Sequence, residues 1–122
     1  MIQKVLDVAA GRRFHGPMIS HTMIVSFEPS IPDADLDQYL KDIESLMVGS
    51  GHVRTFSARR HIRVPADDHS PVFTATAIVH IGVADLDALN AAFAIPGTEE
   101  LISRWQARYP YQVVWANHEP LA

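Results

Sequence analysis

Apolar and polar residues alternate along the chain with two periods, and the switches between them predict the elements. Residues 19–27 alternate singly. His21, Met23, Val25 and Phe27 fall on one face, and Thr22, Ile24 and Ser26 on the other, which is the period of a strand. From 33 to 48 the period becomes helical, with Leu36, Tyr39, Leu40, Ile43, Leu46 and Met47 on one side. Asp33, Asp35 and Asp37 crowd the start of this helix, where the dipole favours negative charge, and Gly49 and Gly51 supply its stop. A second strand is expected over 52–64, with Phe56, Ala58 and Ile62 opposed to Thr55, Ser57, Arg59 and His61. After a turn at 65–71, a third strand over 72–82 sets Phe73, Ala75, Ala77, Val79 and Ile81 against Thr74, Thr76, Ile78 and His80. Two short helices follow, one using Leu86, Leu89 and Phe93, the other Leu101, Ile102 and Trp105. Pro96-Gly97 separates them, and Thr98 is the expected cap of the second. Pro110 ends that helix, and a last strand over 111–118 alternates through Tyr111, Val113 and Trp115 against Gln112, Val114 and Ala116.

The order βαββαβ predicts an α+β, ferredoxin-like two-layer sandwich. Right-handed crossovers place both helical layers on one side of an antiparallel sheet of order 4-1-3-2. The face bearing Met23, Val25, Phe27, Val79 and Ile81 belongs under the helices. The other face, with Thr22, Ile24, Ser26, Thr74, Thr76, Ile78, Val114 and Ala116, is apolar for free solvent and polar for a dry core. Packing of two copies sheet to sheet, a dimeric α/β barrel, would cover it; a solvated Thr/Ser-rich face is the simpler alternative. Residues 1–17 stand apart, with Arg12-Arg13 and then Gly16-Pro17, and read as a peripheral arm ahead of a single domain over 18–122. Met18 opens the regular pattern, as a start preceded by an extension would.

Composition narrows the chemistry. A chain of 122 residues fits one core. Cysteine is absent, which excludes disulfides and thiolate chemistry. A net charge of −4 lacks the basic footprint of nucleic-acid binding. No apolar run approaches the ~20 residues of a membrane span. The start does not read as a signal peptide, because Asp7 interrupts its short apolar stretch. A cytoplasmic protein is the expectation.

Several of these residues carry a resemblance. His21-Thr-Met-Ile-Val-Ser-Phe27, then Ile31 and the acidic helix start, resembles the opening of stress-responsive A/B barrel (Dabb) proteins, which are dimeric α+β barrels. The likeness continues through Val53-Arg-Thr-Phe56, Phe73 to Ile81 and Leu86 to Pro96, and spans roughly 18–119. Some members are plant polyketide cyclases that use a strand-one His with a Tyr–His pair near the second helical region. His21 matches the first of these. Ala92 and Thr98 stand at the other two positions, so the resemblance does not carry the full cyclase set.

His21 is therefore the candidate catalytic residue. It opens a central strand on the helix-covered face, with Ala75 and Ala77 expected beside it to leave room for a ligand. An imidazole there suits acid–base chemistry near neutral pH, although a core His satisfied by its neighbours has the same pattern. Tyr39, Phe93 and Trp105 project from the helices as candidate pocket walls or plain core, and Thr98 as a hydrogen-bond donor. The chain holds seven His. Arg59, His61 and His80 share the second face, where a dimer interior would gather them, yet no spacing resembles a metal-ligand set. Asp67-Asp68-His69 reads as turn chemistry, and His15, His52 and His118 as surface. No cofactor is implied. The functions left open are a cofactor-independent lyase, isomerase or cyclase acting on a small hydrophobic carbonyl or aromatic compound, a non-catalytic ligand-binding dimer, a cofactor-free monooxygenase, and an interaction module whose aromatics fill the pocket.

Overall fold

The computed structural model describes residues 5–7, 12–14, 18–27 and 30–121. The strands are β1 (Val5–Asp7), β2 (Arg12–Phe14), β3 (Ile19–Ser26), β4 (Val53–Arg60), β5 (Ala77–Val83) and β6 (Gln112–His118). The helices are α1 (Asp33–Gly49), α2 (Leu86–Ala94) and α3 (Pro96–Arg108). β3 to β6 form one antiparallel sheet of order β4-β5-β3-β6, so the first and third of these four strands are central, as the βαββαβ order predicts. The expected arm lies largely outside the described residues; its described parts, β1 and β2, pair with each other as a separate antiparallel pair.

The alternation read from the sequence sorts the sheet into two faces. On the helix side, Val25, Ala77, Val79, Ile81 and Val83 are sealed from solvent and join Leu36, Tyr39, Ile43 and Met47 of α1 and Leu101 and Trp105 of α3 in one core. Tyr39 is its hub, edge-on to Phe27, Trp105 and Tyr111 at centroid distances of 5.1, 5.5 and 5.3 Å. An indole N–H loses its water when buried and needs an acceptor. Trp105 Nε1 donates to Asp42 Oδ2 on α1 at 2.9 Å, which ties the two long helices together.

The ends of the elements follow local chemistry. Asp85 caps α2 by accepting from the Ala88 N–H. The helix stop after α1 uses Gly51, at φ +80°, while Gly49 is the last helical residue. Thr98 is not a cap. α3 begins at Pro96, whose missing N–H costs nothing at the first position, and Ile95 is the junction between α2 and α3.

β4 and β5 are shorter than the alternation predicts. β4 ends at Arg60, a short 3₁₀ turn occupies Pro65–His69, and β5 starts only at Ala77. Residues 71–76 are held by single bonds in place of a ladder. Thr76 N–H donates to Val25 O, Phe27 N–H to Thr76 Oγ1, and Ser26 Oγ to Thr74 O. Side-chain hydroxyls that bond the neighbouring backbone compete with strand pairing. Gly82 allows a close approach on the outer face, where a Cβ would meet Thr55 Oγ1 at 2.2 Å.

Removing the aromatic hub should test this core directly. Tyr39→Ala is expected to cost about 3–5 kcal/mol of unfolding free energy by chemical denaturation.

Candidate functional site

Antiparallel register decides what His21 meets. It stands opposite Ile81 on β5 and Asn117 on β6. Ala77 pairs with Val25, four residues further along β3, or about 13 Å at strand rise. The expectation that Ala75 and Ala77 flank His21 is thus overturned. In an antiparallel pair the beginning of one strand lies beside the end of the other. Ala77 is fully buried core, and Ala75 precedes β5 and lines an open cleft at the far end of the sheet.

His21 is buried, at 5% exposure. Its Nδ1 lies 2.6 Å from Asn117 Oδ1. A carbonyl oxygen only accepts, so Nδ1 carries the proton and donates. Nε2 is then the acceptor nitrogen of the neutral ring. Among the described residues no group bonds Nε2. Two aromatic rings flank the imidazole. Phe93 of α2 sits 4.8 Å from the imidazole centroid and Trp115 of β6 sits 6.1 Å away. Both rings are partly open to solvent, at 36% and 56%. Burial holds the His21 pKa below the ordinary histidine value. The Asn117 hydrogen bond pulls it back up, and nearby His118 pushes it down. The ring is therefore neutral at pH 7, with Nε2 unprotonated.

Three of the other candidates meet behind Phe93. Tyr39, Phe93 and Thr98 line an apolar recess of about 60 Å³ between α1, α3 and the sheet, with Met23 and Leu101. Ligand pockets usually span ~300–1,000 Å³, so this recess admits only a short alkyl group unless Phe93 moves. Burial, with Tyr111 alongside, pushes the Tyr39 phenol far above its usual range, so it exchanges no proton near neutrality. Thr98 Oγ1 donates to Ala92 O at 3.4 Å. Trp105 does not join the recess; its N–H is committed to Asp42 and its ring to Tyr39. Asn117 and Trp115 were not singled out by sequence reasoning. Their signal is the continuation of the Tyr111–Val113–Trp115 alternation to 117, on the face of His21.

The remaining polar groups organise other regions. The open cleft, about 650 Å³, holds Arg60, His61 and Arg63. Arg60 is bonded to Asp33 and Asp37, His61 Nε2 to Asp67 at 2.7 Å, and Arg63 to Asp68. Asp67 also accepts from the Val64 N–H within the 3₁₀ turn over 65–69, whose largely exposed residues fit the turn chemistry expected there. His118, expected as plain surface, is half-buried on the outer sheet face and bonded to Thr22. Among the described residues no three His, Cys, Asp or Glu side chains converge as a metal site.

No family model matches the sequence, and no curated protein does. Solved structures match by fold. The hydroxynitrile lyase of Passiflora edulis has a TM-score of 0.67 at 13% identity, covering 84% of this chain and 93% of its own. A Dabb-family protein with a ferredoxin-like fold from Mesorhizobium loti has a TM-score of 0.66 at 17% identity, covering 87% and 99%. A dimeric ferredoxin-like protein of unknown function from Thermobifida fusca has a TM-score of 0.64 at 10% identity, covering 88% and 94%. The chain thus has the ferredoxin-like fold of Dabb proteins, and the resemblance read from its motifs holds at the level of that fold. No helix among the described residues is long and apolar enough to cross a membrane.

The depressed His21 pKa has a thermodynamic consequence. The unfolded chain takes up a proton near pH 6.5 while the folded site refuses it, so stability is full above that pH and declines as pH falls through the folded value. Denaturation midpoints across pH 8 to 5 should show this decline. His21→Gln should make it shallower, leaving the part due to His80, whose pKa burial also lowers.

Proposed function

We propose that the protein is a homodimer that binds a small hydrophobic carbonyl or aromatic compound between Phe93 and Trp115 and uses His21 Nε2 for proton transfer without a cofactor. The observation that carries this reading is a neutral, buried imidazole with one nitrogen fixed by Asn117 and two partly exposed aromatic rings beside it. Such a ring accepts a proton from a carbon or hydroxyl activated by an adjacent carbonyl. Burial disfavours the imidazolium that results, so the proton returns readily to the product. Lyase, isomerase and cyclase reactions share that step. A fold neighbour that is a hydroxynitrile lyase supports the lyase form of it. Asn117 is a positioning residue, because it sets the tautomer that leaves Nε2 as the base.

Dimer formation is supported by the outer sheet face. Ile24, Ile78 and Val114 are exposed at 36%, 43% and 52% on adjoining strands, between small polar side chains. An apolar stripe across three strands favours burial against a second copy, and a fold neighbour is described as dimeric.

A second reading, binding without turnover, is favoured by Ala92 and Thr98. Neither can serve as a second acid or base, and Thr98 is occupied with the Ala92 carbonyl.

The two readings separate in one set of measurements. Small aromatic and aliphatic aldehydes and ketones are titrated against the protein by heteronuclear NMR and assayed for conversion. For a turned-over compound, His21→Gln should lower kcat by about 10²–10⁴. The rate should be flat at neutral pH and fall on an acid limb below pH 6.5. Asn117→Ala removes the bond that raises the His21 pKa, so its acid limb should move to lower pH. Undiminished turnover in His21→Gln removes the catalytic reading, and tight binding without product establishes the second.

A further inference from the structure

The sheet face turned away from the helices carries two imidazoles that the proposed chemistry does not use. His80 on β5 and His118 on β6 flank β3, and their rings stack with centroids 6.0 Å apart and planes 18° from parallel. His118 is held at both nitrogens. Nδ1 faces the Glu119 backbone oxygen at 2.6 Å, which only accepts, so Nδ1–H donates. Nε2 lies 2.8 Å from Thr22 Oγ1 and accepts from it when the ring is neutral. The stack thus sits over β3 at Ser20 and Thr22, on the same face as the row of Ile24, Ile78 and Val114 further along the strand.

Among the described residues its neighbours within the sheet offer no counter-charge; the carboxylate of Glu119 follows His118 in the chain. On β3 the neighbours on this face are Ser20, Thr22 and Ile24. On β4, Ser57 stands opposite His80, and Arg59, the next residue on that face, is a cation. On β6 the face continues through Ala116, Val114 and Gln112. From the other side of the sheet, His21 interacts electrostatically with His118. Among the described residues of the four strands, no carboxylate lies on this face. A proton on either ring would therefore meet an imidazole, an arginine and apolar side chains. Burial already lowers the His80 pKa in the single chain.

We infer that the second copy docks over the His80–His118 stack and that protonation of the stack releases it, so that the dimer is proton-sensitive. This rests on the homodimer reading above. A two-fold interface brings both copies' stacks into one buried region. Each proton excluded from the dimer but accepted by the monomer weakens association by up to tenfold per pH unit, and symmetry doubles the number of protons.

Sedimentation equilibrium of the full chain at pH 8 and pH 5.5 tests this, with circular dichroism at both pH values to show folded protomers. The wild type is expected to be dimeric at pH 8, with a Kd weakened by about tenfold or more at pH 5.5. A His80→Gln/His118→Gln double variant should be dimeric with a Kd that stays level across the same range. A second measurement needs no variant. The His80 ring signal in NMR should titrate at lower pH as protein concentration, and hence dimer fraction, rises. A wild-type monomer at pH 8 overturns the homodimer reading and the inference with it. A wild-type dimer whose Kd does not change with pH, or a double variant that weakens as much as wild type, overturns the inference alone. So does a His80 titration independent of concentration.

Discussion

Strand register is the constraint on which the rest depends. β3 is paired on both edges, and its side chains take their surroundings from those two pairings. The period of a strand is two residues, so a one-residue slip would turn His21 out of the helix-covered face and put Thr22 under the helices. A two-residue slip would keep the face but move His21 away from Asn117, leaving a buried imidazole without its partner. Unmet buried polar groups cost about 1–3 kcal/mol. The hydrophobic face and the His21–Asn117 bond therefore favour the same register, the first through many weak contacts and the second through one strong one.

The chemistry of His21 follows from competing local terms. Burial alone would give a ring that resists protonation and has no defined tautomer. The Asn117 carbonyl oxygen opposes part of the burial effect and selects the proton position. What remains is a neutral imidazole with Nε2 unprotonated. The aromatic walls come from different elements, Phe93 from α2 and Trp115 from the edge strand β6. The junction at Ile95 matters here. Because α3 starts afresh at Pro96, α2 ends just after Phe93 has been delivered over the start of β3.

The sheet order, the helical face of α1 and the sorting of side chains on β3 and β6 were legible in the sequence, because each rests on a local period that tertiary contacts reinforce. His21 was legible for the same reason. Its partners were not. Periodicity assigns Ala77 and Asn117 to the correct face but says nothing about how far along β3 each one lies. That distance is fixed by where β5 and β6 begin, and the start of β5 is set by hydroxyl bonds from Ser26 and Thr76 that no alternation reveals. Thr98 shows the same limit. Its residue type suits a cap, and proline geometry at Pro96 overrides that preference. Trp105 fitted a pocket wall, but its helical spacing is more often that of plain core; the acceptor at Asp42, on a separate helix, ties it to the core.

The two faces of the sheet are not electrically separate. His21 and His118 lie on opposite sides of the β3–β6 pair, and each reports to the other: a charge on His118 opposes one on His21. The sheet is one layer of backbone thick, too thin to screen that field as water would. Under the homodimer reading, a second copy over the outer face would withdraw His118 from solvent. The same contact would remove the repulsion that lowers the proton affinity of His21. Under that reading, what covers one side of the β3–β6 pair would bear on proton affinity at the other.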